Sequence, residues 1–185
     1  MTTRRPFSRL SREVLVDNPW HRYCRDRYVQ RDGSEGTYFY VDMPGSSAAI
    51  PVFADGSTVL LHVHRYLLGR DLWEFPIGGM RAGEDPLAVA QKELHEEAGL
   101  LAARWTPLGH FAPYKGVSNE LCHFHLAREL REVAQDLEPS EHITVHRLPF
   151  AVARDRLLGQ ECGDGQSMAG LLLLDRWLAA GNSLA

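Results

Sequence analysis

The stretch from Asp85 to Gly99 admits one local structure, and that structure decides what the rest of the chain must do. Asp85 is a good helix N-cap, Pro86 suits the first helical position, and Gly99 stands where a helix stops. At roughly 100° per residue, Glu93, Glu96 and Glu97 fall within an arc of about 100°. Leu87, Ala90, Leu94 and Ala98 occupy the neighbouring arc. The helix therefore lays an apolar face on a core and presents three carboxylates beside it.

Clustered carboxylates repel one another and raise each other's pKa. A hard divalent cation removes that penalty, since Mg²⁺ and Mn²⁺ prefer oxygen ligands. The preceding Ile77-Gly78-Gly79 can bring a backbone carbonyl to the same ion, because glycine permits close approach. A solvated acidic helix face is the plainer reading of glutamates alone, and spacing must separate the two.

Around this helix, Thr37–Val41, Ala48–Phe53, Thr58–Arg65, Glu120–Ala127 and His142–Leu148 read as strands. Asp42-Met43-Pro44-Gly45 and Asp55-Gly56 mark turns. Further helices are predicted around Phe150–Leu158 and from about Gln166 to Ala180, the latter with a buried stripe of Leu171, Leu174, Trp177 and Leu178. Residues 1 to about 12 are polar and expected to be mobile. Strands interleaved with few helices give an α/β or α+β class with a mixed sheet.

A net charge of -4 and a pI near 6.1 argue against a broad nucleic-acid surface. They leave room for an anionic small substrate. Cys24, Cys122 and Cys162 are odd in number and widely spaced, so neither a disulfide framework nor a CxxC site is suggested, and a reducing cytoplasm fits. Arg4 and Arg5 precede no apolar stretch, which does not read as a signal peptide. The apolar block Met168–Leu174 is too short to span a bilayer, so no membrane partner is expected. His62/His64 and His123/His125 each share a strand face, but no third metal ligand is evident.

Gly78-x5-Glu84-x7-Lys92-Glu93-Leu94-x-Glu96-Glu97-x-Gly99-Leu100 resembles the Nudix box, G-x5-E-x7-R-E-U-x-E-E-x-G-U with U aliphatic. Every specified position matches except Lys92, where the family has Arg. A chance match this close is on the order of one in a million. The resemblance implies the Nudix fold, a mixed sheet between helices with extra N-terminal strands. It implies Mg²⁺ or Mn²⁺ held by Glu93, Glu96, Glu97 and the Ile77 carbonyl, with Gly78, Glu84 and Lys92 as box support. Glu84 is expected to brace the loop or pair with Lys92. Lys keeps the charge of Arg but loses its planar fork.

The flanks resemble ADP-ribose pyrophosphatases and related nucleoside-diphosphate-sugar hydrolases. His64-Arg65-Tyr66 and Trp73-Glu74-Phe75-Pro76 resemble that group's R-x-Y-R and E-L-P-A-G runs. Pro113-Tyr114-Lys115-Gly116-Val117-Ser118-Asn119-Glu120 resembles its P-x-P-G-x-S-x-E loop. Arg65, Glu74, Lys115 and Glu120 are thereby substrate-binding candidates. Asp136–Glu141 sits where the group has an acidic loop supplying the general base, and Glu138 and Glu141 both qualify. Glu96, Glu97, Glu138 and Glu141 make up the catalytic set. Trp73 reads as core or dimer packing, and Tyr114 is a possible stacking residue in an exposed loop.

Residues 1–46 resemble a segment of extra strands that forms a homodimer, with 47–185 as the Nudix domain. The activity implied is hydrolysis of the diphosphate of ADP-ribose or a related nucleotide sugar. Two alternatives stand beside it: hydrolysis of another nucleotide, such as a dinucleotide or a coenzyme A derivative, and a non-catalytic nucleotide sensor.

Overall fold

The computed structural model describes residues 7–139 and 141–184. Three strands, β1 (Ser8–Asp17), β2 (Arg22–Val29) and β3 (Glu35–Asp42), form an antiparallel sheet in chain order. The stretch expected to be mobile is corrected here: Ser8 onward is strand, held by register to β2 from Ser8↔Val29 to Asp17↔Arg22. Opposite charges face each other across that ladder, with Glu13 on Arg25 and Arg12 on Asp26. Residues 1–6, Arg4 and Arg5 among them, lie outside the described residues.

Next come β4 (Ser46–Pro51), β5 (Ser57–Arg65), β6 (Arg70–Glu74), β7 (Ile77–Gly79), α1 (Pro86–Ala98), β8 (Leu100–Phe111), β9 (Cys122–Glu132), β10 (Ile143–Pro149), α2 (Phe150–Leu158) and α3 (Gly165–Ala179). One sheet runs β7-β4-β9-β8, with β4 and β9 parallel. The other runs β10-β5-β6 and is antiparallel.

Alternation along these strands divides the core in two. Ala49, Val59, Leu61 and Val63 face Ala90, Leu94 and Ala98 of α1. Ile50, Leu60, Phe124 and Leu126 meet Ala153 and Leu157 of α2 and Leu171 and Leu174 of α3. The strands are thus sandwiched between α1 on one side and α2 with α3 on the other. Each fully buried leucine stabilises the fold by roughly 1.5–3 kcal/mol. Trp177 and Leu178 complete the α3 stripe as partly buried neighbours. Among the described residues no helix is long and apolar enough to cross a membrane, and Met168–Leu174 lies within α3.

The three cysteines are free. Burial pushes the Cys122 thiol up to about 12, which leaves it unreactive.

Candidate active site

The helix is delimited as its sequence requires. Asp85 accepts from the Ala88 amide at 3.2 Å, and Gly99 adopts a left-handed φ of 64°. A side chain at Gly99 would also meet the Val133 carbonyl, so the stop is doubly specified. These ends fix the register of the glutamates between them. Glu93 and Glu97 are buried, and Glu96 is half-buried.

Burial pushes Glu97 up to about 8, and Glu93 and Glu141 add to the effect. The Ile77 amide, donating to Glu97 Oε2 at 2.9 Å, pulls the other way. Glu93 is likewise raised by burial, against the pull of Lys92. Two buried carboxyls that disfavour ionisation beside each other are a donor set lacking positive charge. Gly78 adds a cradle, since a Cβ there would stand 2.1 Å from Glu93 Cδ. Oxygen donors in this arrangement suit a hard divalent ion.

Lys92 supplies the nearest cation. Its Nζ donates to Glu96 Oε2 at 2.6 Å and to Glu93 Oε1 at 3.3 Å. Of the two expectations for Glu84, the loop brace is observed: Glu84 Oε2 accepts from the Arg81 amide at 2.7 Å, while Lys92 is engaged with Glu93 and Glu96. Among the described residues, no three His, Cys, Asp or Glu side chains already converge as ligands of one ion would. Lys92 bridges Glu93 and Glu96, while the Ile77 amide holds Glu97.

The acidic loop is tied to the same helix. Gln135 Nε2 donates to the Glu97 carbonyl at 2.6 Å, and the Asp136 amide donates to the Glu96 carbonyl at 3.1 Å. Glu138 and Glu141 then line one cavity of about 600 Å³ with Ile77, Gly78, Lys92, Glu93, Glu96 and Glu97. That volume suits a nucleotide-sized ligand. The Glu138 amide donates to Glu141 Oε2 at 2.8 Å, and Ser140 between them is outside the described residues.

Arg65 also lines the cavity, paired with Glu74. Its Nε donates to Glu74 Oε1 at 2.8 Å and its Nη2 to the second oxygen. Glu74 is only 2% exposed, so it orients Arg65 rather than facing the cavity. Burial pushes its carboxyl up and the guanidinium pulls it back.

Lys115 and Glu120 stand elsewhere. Neither is among the residues lining the cavity. The loop carrying them reaches toward β3, where the Tyr38 hydroxyl donates to the Gly116 carbonyl at 2.9 Å and the Val41 amide to the Val117 carbonyl at 2.8 Å. Glu120 is buried and accepts from the Ser46 hydroxyl at 2.6 Å. Tyr114 is exposed.

Sequence reasoning missed the opposite rim. Pro19, Trp20, Met43, Pro44, Met80 and Arg81 line the cavity as well. Asn18 Oδ1 accepts from the Trp20 and His21 amides at 3.0 and 2.9 Å, a turn that leaves Trp20 76% exposed. Asn18-Pro19-Trp20 was the available signal. An adjoining cavity of about 540 Å³ shares this rim and is walled by Asp17, Arg22 and Asp42.

The histidines take ordinary roles. His64 pairs with Asp71 at 2.6 Å, His62 packs on Trp73 with centroids 4.7 Å apart, and His123 lies 5.3 Å from His110. Trp73 itself packs against the core on the α2 side, beneath Arg156.

The NUDIX domain family matches residues 43–163. An ADP-ribose pyrophosphatase of Mycobacterium tuberculosis (strain ATCC 25618 / H37Rv) is 32% identical over 169 residues, which cover 90% of this chain and 82% of that protein. An ADP-ribose pyrophosphatase of Bacillus subtilis (strain 168) is 30% identical over 129 residues, 69% of this chain and 70% of that one. A crystal structure of an ADP compounds hydrolase superposes with a TM-score of 0.80 at 19% identity, covering 96% of this chain and 97% of that chain. That superposition bears out the mixed sheet between helices as a Nudix fold. The chain belongs to the Nudix family and is one of its hydrolases.

Proposed function

We propose that the protein hydrolyses the diphosphate of ADP-ribose or a related nucleoside diphosphate sugar, with Mg²⁺ or Mn²⁺ as cofactor. The observation that carries this reading is the cavity that joins Glu93, Glu96 and Glu97 to Glu138 and Glu141, with Arg65 on its wall. Two relatives that span most of both chains are ADP-ribose pyrophosphatases, which supports the choice of substrate.

Glu93, Glu96, Glu97 and the Ile77 carbonyl would hold the ion. When bound, it neutralises diphosphate charge and makes water more acidic. Arg65, oriented by Glu74, offers a fork to a phosphate oxygen. Glu138 or Glu141 takes a proton from the water that attacks phosphorus. The bond to the bridging oxygen breaks, and the products are a nucleoside monophosphate and a sugar phosphate. Trp20 gives the cavity a flat aromatic rim suited to a base or a ribose. Lys115 and Glu120 would enter only through motion of their loop or from a second subunit.

A homodimer through β1–β3 belongs to the same reading. Val16 of β1, Tyr23 of β2 and Phe39 of β3 are exposed on one face of this sheet, an apolar surface that a second copy would cover. Light scattering tests this, and a monomer at micromolar concentration would overturn it. A cytoplasmic location fits the three free thiols.

The deciding experiment is a panel of ADP-ribose, GDP-mannose, UDP-glucose, NADH and diadenosine polyphosphates with Mg²⁺ or Mn²⁺. Preferred release of AMP from ADP-ribose is expected. Preference for a dinucleotide would move the substrate, and tight nucleotide binding without turnover would replace hydrolysis by sensing.

A further inference from the structure

Among the described residues β6 is an edge strand, with no strand along its outer side. Side chains instead receive the amide of Trp73 on β6 and those of Phe75 and Ile77, which carry the chain from β6 into β7. The Trp73 amide donates to Gln160 Oε1 at 2.7 Å, and Gln160 Nε2 donates back to the Trp73 carbonyl at 3.1 Å. The Phe75 amide donates to Ser167 Oγ at 2.9 Å. The Ile77 amide donates to Glu97 Oε2 at 2.9 Å. The chain entering the box is therefore clamped at every second residue, and the last clamp is a box glutamate.

We infer that Gln160 and Ser167 are positioning residues for the reaction, setting where the Ile77 carbonyl and the Glu97 carboxylate stand. This rests on the reading that Ile77 and Glu97 hold the metal. Pro76 lies between Phe75 and Ile77 and has no N–H of its own, so its place is inherited from its neighbours and from its carbonyl, which accepts from Ala49 at 2.9 Å. A shift at Phe75 is passed through that stiff residue to Ile77. Ser167 is suited to hold Phe75 still. It is 2% exposed, and its own amide donates to the α3 N-cap Asp164 at 2.7 Å. It also lies beyond residue 163, where the family match ends, so this clamp comes from outside the matched span.

Ser167→Ala leaves a buried amide without an acceptor and frees the segment to seek one elsewhere. Turnover at saturating substrate is expected to fall on the order of tenfold to a hundredfold, with KM within about threefold. Mn²⁺ affinity, measured directly by calorimetry on the whole protein, is expected to weaken about tenfold. Ser167→Thr, which keeps the hydroxyl, recovers part of both. Gln160→Ala acts in the same direction from a more accessible site that tolerates truncation.

Leu126→Ala is the control for mere destabilisation, since Leu126 is fully buried in β9, where it pairs with Ile50 and Thr106 rather than with the clamp. It lowers the melting temperature at least as much, yet leaves turnover per folded molecule and Mn²⁺ affinity unchanged. Wild-type turnover and Mn²⁺ affinity in both Ser167→Ala and Gln160→Ala would overturn the inference. So would Leu126→Ala losing both in proportion to stability. If the wild type cleaves no diphosphate but binds Mn²⁺, the substrate reading fails alone, and the Mn²⁺ titrations still decide positioning. A wild type that binds no Mn²⁺ overturns both.

Discussion

Ile77 and Glu97, 20 residues apart, are joined by a single hydrogen bond in which a peptide amide meets a buried carboxylate. That donor is too weak to offset burial and the neighbouring Glu93, and the carboxyl titrates at about 8. Unfolded, it titrates near 4.5. Between these values the metal-free native protein keeps a proton that the unfolded chain has released. Stability therefore declines as pH rises from about 4.5 to about 8. Glu97→Gln keeps the acceptor for Ile77 and removes the charge. Its metal-free melting temperature is expected to exceed wild type at pH 8 and to match it near pH 5. Its turnover should fall by orders of magnitude, on the order of a hundredfold or more. Near-normal turnover would remove Glu97 from the metal set.

Gly78 tests the cradle without touching a charge. Alanine there would overlap the Glu93 carboxyl, and because that is the end of a side chain the carboxyl moves aside rather than the backbone. Gly78→Ala is expected to leave the melting temperature within a few degrees of wild type and to cut turnover about a hundredfold. Full activity would show that Glu93 works equally well from another rotamer.

Arg65 and Glu74 couple stability to the cavity wall. Arg65→Ala strands a carboxylate that is 2% exposed. Breaking a buried pair costs about 3 kcal/mol, and water around the half-exposed guanidinium reduces that to roughly 2 kcal/mol. Urea denaturation measures it. Arg65→Lys should recover part of the stability, because it restores charge without the fork. A loss of under about 0.5 kcal/mol in Arg65→Ala would mean that Glu74 finds water or a proton at little cost.

Glu138→Gln and Glu141→Gln separate the two candidates for the base. Only one is expected to lose turnover strongly, on the order of a hundredfold or more. Glu141 has the closer electrostatic contact with Glu93 and Glu97, which favours it for that loss. No loss in either would take this loop out of the proton transfer.

What the sequence disclosed followed from how local the signal was. The α1 boundaries needed only Asp85, Pro86 and Gly99, whose conformational preferences act within a turn. The β9 run announced itself by alternation and the β5 run by its β-branched residues. β1 and β2 did not, because their stabilising pattern is Glu13 opposite Arg25 and Arg12 opposite Asp26, a pairing that appears only when the register is known. β8 went unread because Pro107 and Gly109 are poor strand residues, and they mark a register shift against β9. At the site, the box glutamates line one cavity, and among the described residues no three side chains yet converge as ligands of one ion would. Asn18-Pro19-Trp20 signals a turn, but nothing in it says which distant loop that turn will face.

The rim that carries Pro19 and Trp20 belongs to one sheet, and the glutamates belong to another part of the chain. The two are linked through short contacts near residues 41–44 and 116–119. Selection can therefore remodel the turn between β1 and β2 for a new leaving group or base while the carboxylate array keeps its spacing. Under the proposed reading, substrate range and the chemistry would be encoded in separate stretches of the gene.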